Sequence, residues 1–421
     1  MLRSSLGFHT MTLTLSLLTD EADKLLIDFS TYRESTKLIE MYKKNERGEP
    51  IIYHHNSPRM PLKVDIYFKG EYRGIKWCVR ASKKPSDSLT YIVEATINPK
   101  FLAGTNDYLT AATYREINLA IINFNNESKK ISPLLHNFND YKIDRIDYCI
   151  NISLDEFIPR YNSDQILNLI KRSDIPPHYI ERMEYDNTAH RMISKPESFY
   201  LISKSVNINY YSKYLQLLNK SKENVKRRLK PIDPEILDAS RDIYRFEVQC
   251  KYHKIYSLSQ KAEKAGDNSS NKYKSLLTPV ICIGIVSSYY KKTIGKGDWY
   301  TLSEAEKIIK SKDFYRQKEQ RLINALKCVS QCRSLAKAKK TCPEDQLSAF
   351  KETLNELSDL NINPVTIPRE WNIKHIPNLL RSYFDKLIET SSDYSMRNTE
   401  MHFLTSQGYR DYCKIFGHSP I

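Results

Sequence analysis

The sequence predicts an α+β protein with a mainly antiparallel central sheet and flanking helices, followed by a C-terminal helical region. Up to about residue 260, polar and apolar residues alternate in many short segments, as they do in strands that bury one face. From residue 303 onward the apolar residues instead recur at helical spacing. Alternating strands with few helices between them are typical of an antiparallel sheet.

The first third of the chain is predicted to be strands with one or two helices. Its start holds Arg3 and several leucines, like a signal sequence, but residues 12–17 alternate between threonine or serine and leucine, which indicates a strand. The remaining predicted elements of this third are strands over 62–68, 75–80, 91–97 and 141–152 and helices over 20–43 and 113–124.

The segment 198–213 contains three tyrosines and two lysines and no acidic residue. From residue 205 onward its side chains alternate, so that one strand face carries Ser205, Asn207, Asn209, Tyr211 and Lys213. A basic face rich in hydroxyl and amide groups suits a phosphodiester, and a tyrosine beside it is a candidate nucleophile.

The predicted domain organisation has three parts. Residues 1–260 form an α+β domain, 261–300 a linker with a connecting strand or helix, and 301–421 a basic helical region. The polar stretch 261–274 is the best linker candidate because it carries glycine, asparagine and serine residues. In the C-terminal region Ser303 is the predicted N-cap of the first helix, and a long basic helix is predicted over 318–340.

Charge favours a polyanionic partner, with nucleic acid first and an anionic membrane surface second. The chain has 65 Lys and Arg against 50 Asp and Glu, a net charge of +15, and 29 tyrosines whose rings can stack on unpaired bases. An AT-rich genome would produce the same composition. The basic segment 220–230, with Lys226, Arg227 and Arg228 at its centre, is suited equally to phosphate contact and to solubility.

Cysteine spacing and hydropathy exclude two further classes of protein. The eight cysteines are scattered and none forms a Cys-x-x-Cys pair, so we expect a reducing cytoplasmic location and no structural zinc. The most apolar run, 280–286, is far shorter than the roughly 20 residues that a membrane-spanning helix needs. A membrane-surface protein would need an amphipathic basic helix with an aromatic face, which the sequence lacks.

Two similar segments carry the acidic residues that matter most. In the strands around Asp147 and Glu247, Arg145 and Asn151 share a face with the first acid, and Arg245 shares a face with the second. If both strands lie in one sheet, the two carboxylates can converge and bind Mg²⁺ or Mn²⁺ at a phosphate. The alternative is an ordinary arginine–acid pair inside a partly buried sheet.

Tyrosine is a suitable nucleophile for a nuclease that conserves the energy of the phosphodiester bond. Its phenolate attacks the phosphate and leaves a 5′-phosphotyrosyl link with a free 3′-hydroxyl. Three tyrosines are candidates because they lie near Lys204 and Lys213: Tyr200, Tyr210 and Tyr211. The alternative is that these tyrosines serve packing or stacking, as most of the 29 do.

Three other patterns do not meet the requirements of known motifs. His54 and His55 are adjacent but do not form the two-histidine motif of nickases, and Gly295-Lys296-Gly297 lacks the Ser or Thr of a phosphate-binding loop. The chain also has no His-x-x-Arg, which counts against a tyrosine recombinase.

Taken in order, these residues resemble the replication initiation factor (Rep_trans) family, which contains initiators of rolling-circle plasmids and relaxases of integrative conjugative elements. The resemblance covers roughly residues 140–255. It is carried by Arg145-Ile146-Asp147 with Asn151, by Tyr200 to Ser203 with Tyr211 and Lys213, and by Arg245-Phe246-Glu247. The chain departs from the family pattern at Ile202, Asn151 and Asn209, where the family has Gly, Asp and Arg.

The resemblance implies an enzyme that nicks DNA and transfers the strand, with Tyr200 as nucleophile and Tyr211 as the second choice. Asp147 and Glu247, with Asn151, would hold the metal, and Lys213 or Lys204 would offset charge. Arg145 and Arg245 would contact DNA together with the basic segment.

The expected partners are origin DNA, as a hairpin or single strand, a host helicase and a second copy of the chain. A non-catalytic DNA-binding regulator with the same fold explains the charge and the tyrosines equally well.

Overall fold

The computed structural model describes residues 4–35, 39–40, 66–81, 90–105, 109–157, 163–186, 190–226, 228, 230–264 and 275–391. Contacts divide the chain into two units. The N-terminal unit comprises Gly7–Tyr148 and Gln249–Thr278, and the C-terminal unit comprises Met1–Leu6, Cys149–Val248 and Pro279–Ile421. His54, His55, Arg227 and most of the predicted linker 261–274 lie outside the described residues.

The strands are β1 (Ser5–Leu18), β2 (Ile39–Glu40), β3 (Ile66–Tyr72), β4 (Ile75–Ala81), β5 (Thr90–Ile97), β6 (Lys142–Ser153), β7 (Ile180–Glu181), β8 (Met183–Asp186), β9 (Arg191–Ser194), β10 (Ser198–Ile202), β11 (Val206–Ser212), β12 (Ile243–Lys251), β13 (Trp299–Tyr300) and β14 (His375–Ile376). The helices are α1 (Thr19–Ser35), α2 (Pro99–Leu102), α3 (Tyr114–Ile131), α4 (Ser163–Lys171), α5 (Lys213–Lys226), α6 (Pro234–Ala239), α7 (Tyr252–Lys264), α8 (Pro279–Thr293), α9 (Leu302–Lys310), α10 (Arg316–Cys332), α11 (Leu335–Thr341), α12 (Leu347–Asp359) and α13 (Leu379–Ser391).

The N-terminal unit is an antiparallel sheet covered by helices. Its strand order is β2-β3-β4-β5-β1, with β6 beside β1, and Met11 of β1 lies opposite Ile97 of β5. Aromatic rings pack between sheet and helices: Phe29 of α1 stacks on Phe68 at 4.1 Å between centroids, and Trp77 of β4 meets Phe124 of α3 at 5.7 Å. Burying rings of this size contributes most of the stability of such a core.

The C-terminal unit has the strand order β6-β12-β11-β10-β7. Strands β10 and β11 form an antiparallel hairpin in which Tyr200 lies opposite Asn209 and Ser198 opposite Tyr211. The apolar face of this hairpin is buried, and Tyr210 packs on Phe246 of β12 at 4.6 Å between ring centroids. The other face therefore carries the polar side chains.

The C-terminal helices are anchored by one buried carboxylate. Asp298 accepts hydrogen bonds from the N–H of Asn378 at 2.7 Å, from Asn361 Nδ2 at 3.0 Å, from His375 Nε2 at 3.0 Å and from the guanidinium of Arg381. These contacts join the start of β13 to the end of α12, to β14 and to α13. The segment 295–300 is thus a tightly held connection.

The predicted fold class is confirmed: an α+β chain with a large antiparallel sheet, flanking helices and a helical C-terminal region. Two helix predictions were wrong in detail. The single helix predicted over 318–340 is two helices, α10 and α11, since Arg333 ends α10 in the left-handed conformation. Thr301, not Ser303, caps α9 by accepting from the N–H of Glu304.

Within the described residues, none of the helices combines the length and the apolar character that crossing a membrane requires.

Candidate functional site

The β10–β11 hairpin presents two tyrosines on its polar face. Directly opposed residues of an antiparallel pair point to the same side, as do residues two apart along a strand. Because Tyr200 lies opposite Asn209 and Ser198 opposite Tyr211, Tyr200 and Tyr211 share this face as diagonal neighbours. Diagonal neighbours of this kind lie about 7–8 Å apart.

Tyr211 is the buried member of the pair. Its side chain is only 5% exposed, and its hydroxyl donates a hydrogen bond to Oε2 of Glu247 on β12 at 3.2 Å. Burial, and then the negative charge of Glu247, raise the pKa of Tyr211 well above 10.0. Tyr211 therefore stays protonated and acts as a hydrogen-bond donor to the carboxylate.

Tyr200 is the accessible member. It is half-buried, and its phenol oxygen accepts a hydrogen bond from Nδ2 of Asn207 at 3.1 Å. The guanidinium of Arg182 lies 5.6 Å from the centre of its ring, within the range of a cation–π contact. Arg182 is held there because its backbone N–H donates to the carbonyl of Tyr200 at 2.7 Å.

Arg245 and Asn151 form a second buried polar pair. Nε of Arg245 donates to Oδ1 of Asn151 at 2.6 Å, and both side chains are buried. Burial opposes the charge on Arg245, but Tyr211, Cys149 and Glu247 raise its pKa, so the guanidinium stays charged. The oxygen of Asn151 that was predicted to bind metal is thus the acceptor for a guanidinium.

Lys213 lies at the edge of the same cluster. It is the first residue of α5 rather than the last of the strand, it is 3% exposed, and its Nζ donates to Oε1 of Gln216 at 2.8 Å. Burial, and then the positive charge of Arg245, lower its pKa well below 10.5, while Glu247 opposes that shift. An amine with a lowered pKa can exchange protons near neutral pH more readily than an exposed lysine.

Asp147 lies in the N-terminal unit, on β6. It is fully buried, and Arg145 binds both carboxylate oxygens, with Nε 2.7 Å from Oδ1 and Nη2 2.5 Å from Oδ2. A ring nitrogen of His9, on β1, lies within 4.8 Å of a carboxylate oxygen of Asp147, a spacing that suits shared metal ligation. His9 was not predicted from the sequence, because it lies more than 130 residues before Asp147 and belongs to no recognisable motif.

The remaining predicted DNA contacts are exposed cations. Lys204 lies in the bend between β10 and β11, Lys226 in the last turn of α5, and Arg228 just beyond it. None of the three forms an ion pair within the part of the chain that the structure describes. They are therefore available to an external anion.

Comparisons with known proteins give little help. No protein family model matches the sequence, and no curated protein matches it. Among solved structures, one similar chain is described as the rolling circle replication initiator protein from Geobacillus stearothermophilus. It is 10% identical, the match covers 87% of this chain and 98% of that chain, and the TM-score is 0.27. A likeness this low carries no weight for the site.

Proposed function

We propose that the protein is a DNA-nicking and strand-transfer enzyme that initiates rolling-circle replication or conjugative transfer of a mobile element. The observation that carries this proposal is the polar hairpin face. An accessible tyrosine, Tyr200, shares that face with Tyr211, whose hydroxyl contacts the buried Glu247. The order of the three sequence motifs around Asp147, Tyr200 and Glu247 supports the same function.

The proposed reaction is a transesterification by Tyr200. Its phenol oxygen attacks the phosphorus of the scissile phosphodiester and loses its proton, and the bond from phosphorus to the 3′ oxygen breaks. The 3′ oxygen takes up a proton and leaves as a hydroxyl, while the 5′ phosphate stays on the tyrosine. Attack by a 3′-hydroxyl on this phosphotyrosine reverses the step and transfers the strand.

Tyr200 is favoured over Tyr211 by accessibility. A nucleophile must reach the phosphorus of a bulky polyanion, and Tyr200 is half-buried whereas Tyr211 is almost fully enclosed. Tyr211 also has its hydroxyl bonded to Glu247 and its pKa raised. We infer that Tyr211 positions Glu247 and that Tyr200 reacts.

The donor set fits a divalent cation. We propose that the carboxylate of Asp147 and the imidazole of His9, both in the N-terminal unit, hold it. Hard oxygen donors suit Mg²⁺ or Mn²⁺, and the single nitrogen donor favours Mn²⁺ of the two. When bound, such an ion withdraws charge from a phosphate oxygen. Asn151 then keeps Arg245 in place rather than serving as a ligand.

Cations of the chain would compensate the remaining charge. Lys204 is exposed beside the hairpin, and Lys213 is buried next to Arg245 and Glu247. We propose that either lysine offsets the charge that develops on the phosphate during attack. Each contact of this kind with DNA makes binding depend on salt.

The β8–β9 hairpin suits unpaired bases. Met183 and Tyr185 share one face of β8, Tyr185 lies opposite Met192 of β9, and all three side chains are exposed. Exposed aromatic and apolar side chains next to cations are typical of surfaces that bind single-stranded DNA. This supports a single-stranded or hairpin origin as the substrate.

The test is a nicking assay on a supercoiled plasmid that carries the DNA flanking the gene, with Mn²⁺. We expect nicked plasmid and a covalent protein–DNA adduct from the wild type and from Tyr211→Phe, and neither from Tyr200→Phe. Nicking that survives in Tyr200→Phe would exclude Tyr200 as nucleophile. Origin binding without an adduct under any condition would instead identify a non-catalytic DNA-binding regulator.

A further inference from the structure

A cavity of about 700 Å³ lies in the C-terminal unit, away from the tyrosines described above. Its wall is built from the end of α4, the start of α9, the junction of α10 and α11, and residues 365–370. Three arginines line it, Arg172, Arg333 and Arg369, together with the hydroxyl groups of Thr301, Ser303, Ser330, Ser334 and Thr366. This volume is large enough for a nucleotide.

The three arginines are not neutralised by the chain. Within the described residues none of them forms an ion pair with a carboxylate. Two carboxylates, Glu306 and Glu370, also line the cavity. Glu306 is paired with Lys327 at 3.6 Å, so Glu370 is the carboxylate that remains to balance the three arginines. The lining therefore carries an excess of positive charge.

Two of these arginines, Arg172 and Arg333, repel each other electrostatically. Burial, and then the positive charge of Arg333, lower the pKa of Arg172, and Glu370 only partly compensates. Holding like charges together costs free energy, which an anion between them would recover. The arrangement is therefore typical of a binding site and unfavourable without a ligand.

Hydrogen bonds of the backbone and of side chains hold this wall in place. The N–H of Leu335 donates to the carbonyl of Arg172 at 2.8 Å, and Lys339 binds Asp174 at 2.6 Å, which ties α11 to the end of α4. The first turn of the nine-residue helix α9 also lines the cavity. Backbone N–H groups in a first turn lack partners inside the helix, and they favour an anion.

We propose that this cavity binds a phosphate group, supplied either by a free nucleotide or by the DNA backbone. Guanidinium groups bind phosphate with two parallel hydrogen bonds, and the hydroxyl groups can donate to the remaining oxygens. The proposal does not depend on the nicking chemistry, because binding can be measured without a reactive tyrosine.

The experiment measures binding of three probes to the full chain: inorganic pyrophosphate, thymidine 5′-monophosphate and a single-stranded 12-mer. Wild type is compared with the double variant Arg172→Gln, Arg333→Asn. Asparagine tolerates the left-handed conformation at 333, where φ is 52°, so the charge is removed without new backbone strain. Arg316→Gln is the matched control, since Arg316 is an exposed arginine of the same unit that does not line this cavity.

We expect the double variant to weaken binding at least tenfold and the control to leave it unchanged. Weakened pyrophosphate or nucleotide binding would identify a free phosphate ligand. Weakened 12-mer binding alone, with a salt dependence reduced by about one phosphate contact per arginine, would identify the DNA backbone. Unchanged binding of every probe in a variant that melts like the wild type would overturn the proposal. If the double variant fails to fold, the exposed Arg369→Gln provides the same comparison.

Discussion

The hydroxyl of Tyr211 lies 3.2 Å from Oε2 of Glu247, and both side chains are buried in the C-terminal unit. A carboxylate removed from water needs donors to stay ionised, and Tyr211 supplies one of them. The sequence left open which of the neighbouring tyrosines is the nucleophile. Because Tyr211 is bonded to Glu247, the more accessible Tyr200 is the candidate for attack.

Replacing Tyr211 by phenylalanine should lower stability and leave covalent chemistry in place. Removing the donor leaves Glu247 less well satisfied, at a cost of about 1–3 kcal/mol in the free energy of unfolding. Urea denaturation measures this loss. Tyr210→Phe is the control, since Tyr210 lies on the opposite, apolar face of the strand, and it should leave adduct formation unchanged. A Tyr211→Phe protein that forms no adduct although it is folded would return Tyr211 to the role of nucleophile.

Replacing His9 by alanine should weaken Mn²⁺ binding, because a proposed ligand is lost. We expect at least a tenfold increase in the dissociation constant, measured by isothermal titration calorimetry. Asp147→Asn should have a larger effect, since it removes a charged ligand. His136→Ala, at an exposed histidine of the same unit, is the control. Equal affinity in wild type and His9→Ala would remove His9 from the ligand set.

Lys213→Met should stabilise the protein while reducing nicking. The folded-state pKa of Lys213 is lowered, so the unfolded chain binds more protons between that pKa and 10.5, and stability rises with pH across this window. Methionine removes that pH dependence and the cost of burying an amine. We expect the free energy of unfolding to rise by about 1 kcal/mol at pH 7. Urea unfolding at pH 7 and pH 9 measures both effects. Lys222→Met, at an exposed lysine of the same helix, should change neither stability nor nicking.

Asp298→Asn should destabilise the C-terminal unit at neutral pH. Burial alone would raise the pKa of Asp298, but His375, Arg381 and the N–H of Asn378 hold it below 3.8. The stability that this carboxylate contributes is therefore present above the unfolded value and is lost as pH falls through the folded one. We expect the free energy of unfolding of the variant to be lower by about 3 kcal/mol at pH 7. The difference in melting temperature between wild type and variant should narrow below about pH 4, and a constant difference would contradict this account.

Gly297→Ala should destabilise the same connection by overpacking. A Cβ at this position would lie 2.5 Å from the carbonyl carbon of Ile362 and 2.6 Å from the nitrogen of Asn363, and backbone atoms cannot move aside cheaply. We expect the free energy of unfolding to fall by about 1–3 kcal/mol. Gly284→Ala is the matched control. Gly284 lies inside α8 with open space around it, so alanine should stabilise the helix by roughly 0.5–1 kcal/mol.

The alternation of polar and apolar residues was sufficient to predict most of the sheet. Strands β4, β5 and β6 lie within one or two residues of their predicted positions. The face assignment on β11 also holds as far as Tyr211, because the period of a strand is fixed by its geometry. Lys213 was assigned to that face as well, but the strand ends at Ser212, a boundary that no local signal marks.

Features that depend on tertiary contact were not predicted. The β8–β9 hairpin was not predicted, because its strands have only four residues each. The break between α10 and α11 was missed because neither Gly nor Pro marks it: the left-handed residue there is Arg333. His9 shows the same limit, since its neighbour Asp147 lies far away in the sequence. A side chain's partner is decided by which strands become neighbours.

The bond between Arg245 and Asn151 joins residues 94 positions apart in the chain. At about 5–20 residues per second, a ribosome needs roughly 5–20 s to synthesise the intervening segment. During this interval the nascent chain carries the polar face of β6 without its guanidinium partner. Assembly of the buried cluster is therefore a late event of biosynthesis, and any product that terminates before β12 lacks both Arg245 and Glu247.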